Sequence, residues 1–231
     1  MDDKPPKSSK KKVILIVLAV LLIGGGVAAY FVNKNNQDEK AQKAAETSEA
    51  ANTNQASNTK TLEAASTSGK PFVATVNTTI NGKDVTGIMS SDGQGNVSYV
   101  YKADGKDISL IYTADAYYLC SGTETCLKYA ASKSSSSGFD PSTYQFDSSR
   151  LNALKNTAAY QGQQTCPTGT GTCDVWSVTS GSTTTTMYVN ASTKQIAKVT
   201  TKSGTTTSDI TYEYKAVTVA APTNSVTLPT Q

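Results

Sequence analysis

Residues 96–120 read NVSYVYKADGKDISLIYTADAYYLC, with a large side chain at every second position through much of the stretch. Alternate residues of a β-strand line one face of a sheet, so this period of two predicts half-buried strands. The large side chains that share the predicted buried face include Tyr99, Tyr101, Leu110 and Tyr112. Asp104-Gly105 separates the two runs and accepts the positive φ of a tight hairpin turn. The stretch therefore predicts consecutive antiparallel strands.

The same alternation extends on both sides. Near the C-terminus, SDITYEYK places Ile210, Tyr212 and Tyr214 on one face and polar residues on the other. Asn-Gly, Asp-Gly and Ser-Gly turns recur between such runs, which is typical of an antiparallel meander. The predicted strands are 71–81, 84–91, 95–103, 106–113, 116–121, 124–130, 158–166, 172–180, 183–190, 195–202 and 206–215.

One interruption divides this meander. A Ser/Lys-rich stretch is followed by DSSRLNALKN, residues 147–156. Asp147 or Ser148 is a suitable helix N-cap, and Leu151 and Leu154 are spaced to share one helix face. We expect a short helix inserted between two groups of strands.

The four cysteines fall in two local pairs, each flanking a Gly-containing turn. An even number of cysteines in an exported domain favours disulfides. We expect Cys120–Cys126 and Cys166–Cys173, because each pair can face across a hairpin. A four-cysteine zinc site is the alternative, although the spacings are wider than in a usual zinc knuckle and the chain has no His.

An apolar run near the N-terminus predicts a membrane anchor. Residues 13–32, VILIVLAVLLIGGGVAAYFV, carry no charge and are long enough to cross a hydrocarbon core of about 30 Å as a helix. Residues 1–12 hold five Lys and two Asp, and an excess of Lys on one flank marks the cytoplasmic side. We predict a single-pass signal anchor in the cell membrane, with the C-terminal domain extracytoplasmic. A cleaved secretory signal is the alternative, but its apolar core is usually only ~7–15 residues long.

The remaining boundaries follow from composition. Residues 33–70 are polar and almost lack large apolar side chains, which predicts a disordered or partly helical spacer. The β domain is then predicted to span 71–220, followed by a C-terminal tail at 221–231. The excess positive charge lies in the N-terminal tail, so the domain lacks the basic footprint of a nucleic-acid-binding protein.

The sequence lacks the residues of common catalytic sites. With no His, it excludes Ser-His-Asp and Cys-His arrangements. Several Asp residues are formal candidates for a catalytic pair, but most lie at expected strand ends or turns, where Asp serves backbone geometry. They are Asp104, Asp107, Asp115, Asp140 and Asp174. We expect no enzyme activity, no metal and no cofactor.

The order of elements resembles the LolA/LppX-type half-barrel of bacterial lipoprotein carriers and lipid-binding lipoproteins. The resemblance covers about residues 70–220 and is carried by FVATVNTTINGKDVTGIMSSDG (72–93), by the meander of residues 95–120 and by TMYVNASTKQIAKVT (186–200). It implies a mainly β fold, an antiparallel meander that forms a curved sheet or half-barrel around an apolar cavity. It also implies that helix-bearing segments act as a lid and that the concave face binds acyl chains or another lipid.

These observations predict a membrane-tethered, extracytoplasmic, non-catalytic binding protein for a lipid or another hydrophobic ligand. The alternative is a cell-surface structural or protein-interaction module whose interior is filled by its own side chains. The side chains expected to line the pocket or fill the core are Tyr99, Tyr101, Leu110, Tyr112, Tyr212 and Tyr214.

Overall fold

The computed structural model describes residues 60–80, 82–103, 105–122, 125–130 and 141–227. The predicted span at 13–32, the basic tail before it and the predicted spacer up to residue 59 lie outside these ranges. No helix in the described ranges is long and apolar enough to cross a bilayer. The described residues before 131 and after 143 belong to one compact unit.

Within the described residues, twelve strands form one sheet that does not close into a barrel. The strands are β1 Pro71–Ile80, β2 Lys83–Asp92, β3 Val97–Ala103, β4 Lys106–Tyr112, β5 Ala116–Ser121, β6 Cys126–Ala130, β7 Ala159–Thr165, β8 Thr172–Ser180, β9 Thr183–Asn190, β10 Ile196–Ser203, β11 Thr206–Glu213 and β12 Ser225–Thr227. The predicted mainly β, largely antiparallel sheet is confirmed.

The first strand lies at the centre of the sheet. The strands of the sheet follow the order β12-β6-β5-β4-β3-β2-β1-β11-β10-β9-β8-β7. Strand β1 therefore lies between two meanders, which extend to opposite edges of the sheet. Neighbouring strands pair antiparallel, except that β12 pairs parallel with β6. Strands β3 and β4 pair as far as Ala103 and Lys106, and Gly105, at φ 77°, has the positive φ that the sequence predicts for this hairpin.

The pairing register separates an apolar face from a polar one. We call the face that carries Tyr99 and Tyr212 the inner face. One cross-strand row on it extends over seven strands from β11 to β6 and consists of Tyr212, Ala74, Met89, Tyr99, Leu110, Leu119 and Leu127. At the centre of the sheet the outer face is polar; Thr86 Oγ1, for example, donates to Asn77 Oδ1 at 2.8 Å.

The inserted helix forms where the sequence predicts it. Helix α1 spans Ser148–Lys155 and follows a 3₁₀ turn at Pro141–Tyr144. Asp147 is the N-cap, and its carboxylate accepts a hydrogen bond of 2.7 Å from the backbone N–H of Arg150. Leu151 and Leu154 are both buried.

The packed domain extends beyond the predicted limits of 71–220. Leu62 and Thr67, which were assigned to the spacer, are about 1% exposed. At the other end, β12 extends the sheet by pairing with β6, although the sequence predicts only a tail there. Both additions depend on pairing or burial against the sheet, and such tertiary contacts leave no periodic pattern in short segments.

Both predicted disulfides are present. Cys120–Cys126 closes the β5–β6 hairpin and Cys166–Cys173 closes the β7–β8 hairpin. The zinc alternative is wrong, because each of the four sulfur atoms is bonded to another cysteine. Both disulfides belong to small buried clusters, the first with Ala116 and Tyr118 and the second with Ala197.

Candidate ligand-binding face

The six side chains singled out in the sequence lie on the inner face. The pairing register places Tyr99 opposite Leu110 and Tyr212 opposite Ala74, and Tyr101 and Tyr112 occupy the same side of β3 and β4. Tyr214 follows two residues after Tyr212, and their rings stack at 6.4 Å. The structure therefore brings all six onto one surface, while their role as pocket lining stays a prediction.

Tyrosine rings fill the centre of this face. The ring of Tyr99 stacks against Tyr101 at 5.6 Å and against Tyr144 at 6.1 Å. Its phenol group lies across Gly87 on the neighbouring strand, where a Cβ would collide with it. Glycine at this position therefore allows the tyrosine to lie flat against the sheet.

The segment before helix α1 covers that centre. The hydroxyl of Tyr212 donates to the carbonyl oxygen of Tyr144 at 2.8 Å, and Tyr212 meets Phe72 edge-on at 5.4 Å. Burial raises the pKa of Tyr99 and Tyr212, and it raises the pKa of Tyr144 to about 12. These phenols are therefore neutral at physiological pH, and the surface they form is uncharged.

The β4–β6 flank of the inner face is only half covered. Rings of Tyr112, Tyr117 and Tyr129 follow one another across three strands, with centroid separations of 4.8 and 5.3 Å. On β5 the outward side chains of Ala116 and Tyr118 are buried, whereas the inner ones are only half-buried. We call the half-buried inner side chains of this flank the tyrosine strip; they are Ile108, Tyr112, Tyr117, Leu119, Leu127 and Tyr129.

The β8–β10 flank is closed in comparison. Five of its large inner side chains are buried, whereas Val178 at the far end of β8 is half-buried; the buried ones are Trp176, Met187, Val189, Ile196 and Val199. The ring of Trp176, the only tryptophan of the chain, packs against Tyr160 of the edge strand β7 at 5.0 Å. This flank is packed as a core.

A buried carboxylate lies beside Trp176 on the same face. The side chain of Asp174 is 4% exposed, and its Oδ1 accepts from Lys60 Nζ at 2.6 Å, from Gln163 at 2.8 Å and from the Tyr160 hydroxyl at 3.3 Å. Burial alone would raise the pKa of Asp174. The hydrogen bonds from Lys60, Gln163 and Tyr160 and the charge of Lys60 outweigh burial and lower it.

Lys60 begins an extended segment that connects several parts of the domain. We call residues 60–70 the strap. Its Glu63 pairs with Lys194 at 3.5 Å, and the backbone N–H of Ala65 donates to the Lys194 carbonyl at 2.6 Å. Thr67 and Phe146 exchange two hydrogen bonds, of 2.9 and 2.7 Å. The strap therefore joins the β8–β10 flank to the segment that covers the centre.

Asp174 differs from the Asp residues that are expected at strand ends and turns. Asp174 lies within β8, and its main partner, Lys60, is 114 positions away in a segment predicted to be spacer. A buried acid within a strand has no distinct sequence signature, since turn-forming and ion-paired Asp look alike. In the described part of the chain, no group of three or more His, Cys, Asp or Glu side chains is placed to hold a metal ion.

No protein-family model and no curated protein matches the sequence. Solved structures similar to the chain include LprF from Mycobacterium bovis, at 15% identity over 68% of this chain and 90% of that one, with a TM-score of 0.43. LppX from Mycobacterium tuberculosis is 10% identical over 65% and 90%, with a TM-score of 0.44. A LolA superfamily protein from Nitrosomonas europaea is 7% identical over 62% and 83%, with a TM-score of 0.30. These proteins include members of the type that the sequence resembles.

Proposed function

We propose that this protein is a non-catalytic, extracytoplasmic binding protein for a lipid or another hydrophobic ligand, held at the cell membrane by residues 13–32. The observation that carries the proposal is the uneven cover of the inner face. The large side chains at the centre and on most of the β8–β10 flank are buried, whereas those of the tyrosine strip are only half-buried. An apolar surface that continues from a half-buried strip into a covered centre is a suitable entrance for an apolar ligand.

Magnitudes limit where such a ligand lies. About ten methylenes buried on the strip would contribute roughly 8 kcal/mol. Association costs roughly 4–15 kcal/mol, and a ligand lying on the surface of the strip buries only part of each methylene. The strip alone would therefore bind weakly. Tight binding requires the ligand to continue beneath the Tyr144–Phe146 segment, whose displacement would uncover Tyr99 and Tyr212.

Two features of the chain support an extracytoplasmic location for the domain. Two disulfides are stable in an oxidising compartment and are rare in the cytosol. The lysines before residue 13 favour a cytoplasmic N-terminus. Both features support an exported domain on a membrane anchor whose N-terminus is cytoplasmic. The composition of the domain itself provides no electrostatic basis for nucleic-acid binding.

The burial of the central tyrosines favours a second candidate. Tyr99 and Tyr212 are each about 2% exposed beneath Tyr144, as they would be in an interior filled by the protein itself. In that case the domain is a cell-surface structural or protein-interaction module. The two candidates differ in whether an acyl chain reaches the inner face.

Photocross-linking in the membrane separates them. The full chain is produced in cells supplied with a photoactivatable fatty acid, and the cross-linked residues are located by mass spectrometry. We expect cross-links on the tyrosine strip, and we expect Leu119→Lys to remove them because a charge on the strip repels an acyl chain. Ile88→Lys, on the outer face where Ile88 is 49% exposed, is the matched control and should leave them unchanged. Cross-links confined to residues 13–32 would contradict ligand binding and favour the filled module.

A further inference from the structure

The Asp174 cluster has the construction of a binding site for a primary ammonium group. The carboxylate is buried on the inner face and is held by Gln163 and Tyr160, both on the neighbouring strand β7. The ring of Tyr160 lies 5.1 Å from the Lys60 ammonium, within the range of a cation–π contact. Anion, aromatic ring and neutral donor are thus all fixed by two strands of the sheet.

The cation alone comes from outside the sheet. Lys60 belongs to the strap and its side chain is 38% exposed, whereas that of Asp174 is 4% exposed. A lysine on an extended segment can leave the site without disturbing β7 or β8. The buried carboxylate cannot follow it, and an uncompensated buried charge is costly. Binding of a replacement cation beside Asp174 is therefore energetically favourable.

We propose that Lys60 is an internal occupant of an ammonium site, and that a ligand bearing a primary amine displaces it. This inference rests on the proposed function, because the site lies on the same inner face. The short contact between Lys60 Nζ and Asp174 requires an N–H donor, so the site selects a primary ammonium over a quaternary one. An ethanolamine lipid headgroup and a soluble alkylamine share this chemistry.

Displacement of Lys60 has a consequence at the centre of the inner face. The strap is joined to Phe146 through Thr67, and Phe146 lies two residues from Tyr144, whose ring covers Tyr99. Loss of the Lys60 contact removes one end of this connection. After amine binding at Asp174, the strap keeps its contacts with Lys194 and Phe146 but not that of Lys60, so its hold on the cover above the region where an acyl chain would lie is weaker.

The first test uses Trp176 as the reporter, with the full chain in lipid nanodiscs that lack amine headgroups. Wild type and Lys60→Ala are titrated with ethylammonium, with tetramethylammonium and with sodium chloride at equal ionic strength. We expect ethylammonium to change the fluorescence of Lys60→Ala at a concentration about tenfold or more below that needed for wild type, because the internal lysine no longer competes. The response should be absent in Lys60→Ala/Asp174→Asn. An equal response in wild type, in the double variant or with sodium chloride overturns the proposal.

The second test requires no variant. Hydrogen exchange of the wild-type strap is compared in nanodiscs of phosphatidylethanolamine and of phosphatidylglycerol, which lacks an amine. We expect the amides of Ala65 and Thr67 to exchange faster in phosphatidylethanolamine. A third condition, soluble ethylammonium added to phosphatidylglycerol, distinguishes a free amine from a lipid headgroup as the ligand. Identical exchange in all three conditions overturns the proposal. Acyl cross-linking on the tyrosine strip that is independent of the headgroup would leave the proposed function standing and remove only the ammonium site.

Discussion

The β4–β6 and β8–β10 flanks of the inner face are both apolar, yet they are covered very differently. In the β8–β10 flank, Trp176 and Met187 are each about 2% exposed, and the strap is fastened beside them through Asp174. In the β4–β6 flank, the side chains of the tyrosine strip are only half-buried. Among the described residues, the β8–β10 flank is therefore the more deeply buried of the two.

Strands β5 and β9 also differ in which face they bury. AYYLC, residues 116–120, is a continuous apolar run, and such runs are typical of strands buried on both faces. Here the outward side chains of Ala116, Tyr118 and Cys120 are buried and the inward ones are not. On the other flank, β8 is buried on both faces from Cys173 to Trp176, whereas β9 reads TTTTMYVN and its two buried residues, Met187 and Val189, both point inward. On β5 the deeper burial is therefore on the outer face, and on β9 it is on the inner face.

The largest expected effect tests the closed flank directly. Met187→Ala removes a buried inner side chain and should lower the free energy of unfolding by about 2–5 kcal/mol. Leu119→Ala, on the half-covered flank, should cost only about 1 kcal/mol, because less of its area is withdrawn from water. Urea denaturation of the full chain, followed by circular dichroism of the sheet, measures both. Equal losses would contradict the difference between the flanks.

The two disulfides provide a second comparison. Their loops are of similar length, with sequence separations of 6 and 7, so replacing either pair by Ala should cost about 2 kcal/mol. The structural consequences should differ, because the backbone N–H of Cys126 donates to Asn224 at 3.0 Å beside β12. Loss of Cys120–Cys126 should accelerate hydrogen exchange in β12, while loss of Cys166–Cys173 should not. Unchanged hydrogen exchange in both variants would show that the pairing of β12 does not depend on the Cys120–Cys126 disulfide.

The ion pair on the closed flank should have a smaller effect. Lys60→Met leaves Asp174 buried with only neutral hydrogen-bond donors. Because the Lys60 side chain is partly exposed to solvent, the free energy of unfolding should fall by only about 1–2 kcal/mol. Lys102→Met is the matched control, because Lys102 and Asp107 form an exposed pair with side-chain exposures of 74% and 56%. Removal of such a surface pair should cost less than about 0.5 kcal/mol. Thermal denaturation of the two variants side by side provides the measurement.

The same pair should produce a defined pH dependence. The pKa of Asp174 is lowered in the folded protein, so its contribution to stability is present above about pH 4 and is lost as pH falls through the lowered pKa. The pKa of Lys60 is raised, chiefly by its hydrogen bond to Asp174, so its contribution is present below about pH 10 and is lost as pH rises through the raised pKa. The stability difference between wild type and Asp174→Asn should be greatest between these limits. A difference that is constant from pH 3 to pH 11 would contradict the pairing.

The strands and hairpins were predictable because their signals are local. Alternation around Tyr99 and the turn at Asp104-Gly105 depend on neighbouring residues, and each cysteine pair closes a single hairpin. The strap, β12 and the Asp174 cluster were not predictable, because each depends on partners distant in sequence. Leu62 is a lone apolar residue in a polar stretch, and nothing near it in sequence indicates that the sheet buries it.

The central claim is that an acyl chain binds the inner face from the half-covered flank. The most direct measurement uses full chains in nanodiscs, with Trp176→Phe as the background so that one new tryptophan reports. One chain carries Tyr112→Trp on the inner face, and the other carries Ile88→Trp on the outer face. A brominated fatty acid should quench the first reporter in a saturable manner, and unlabelled fatty acid should reverse the effect, while the second reporter changes little. Equal quenching of both reporters, or none at Tyr112→Trp, would contradict the account.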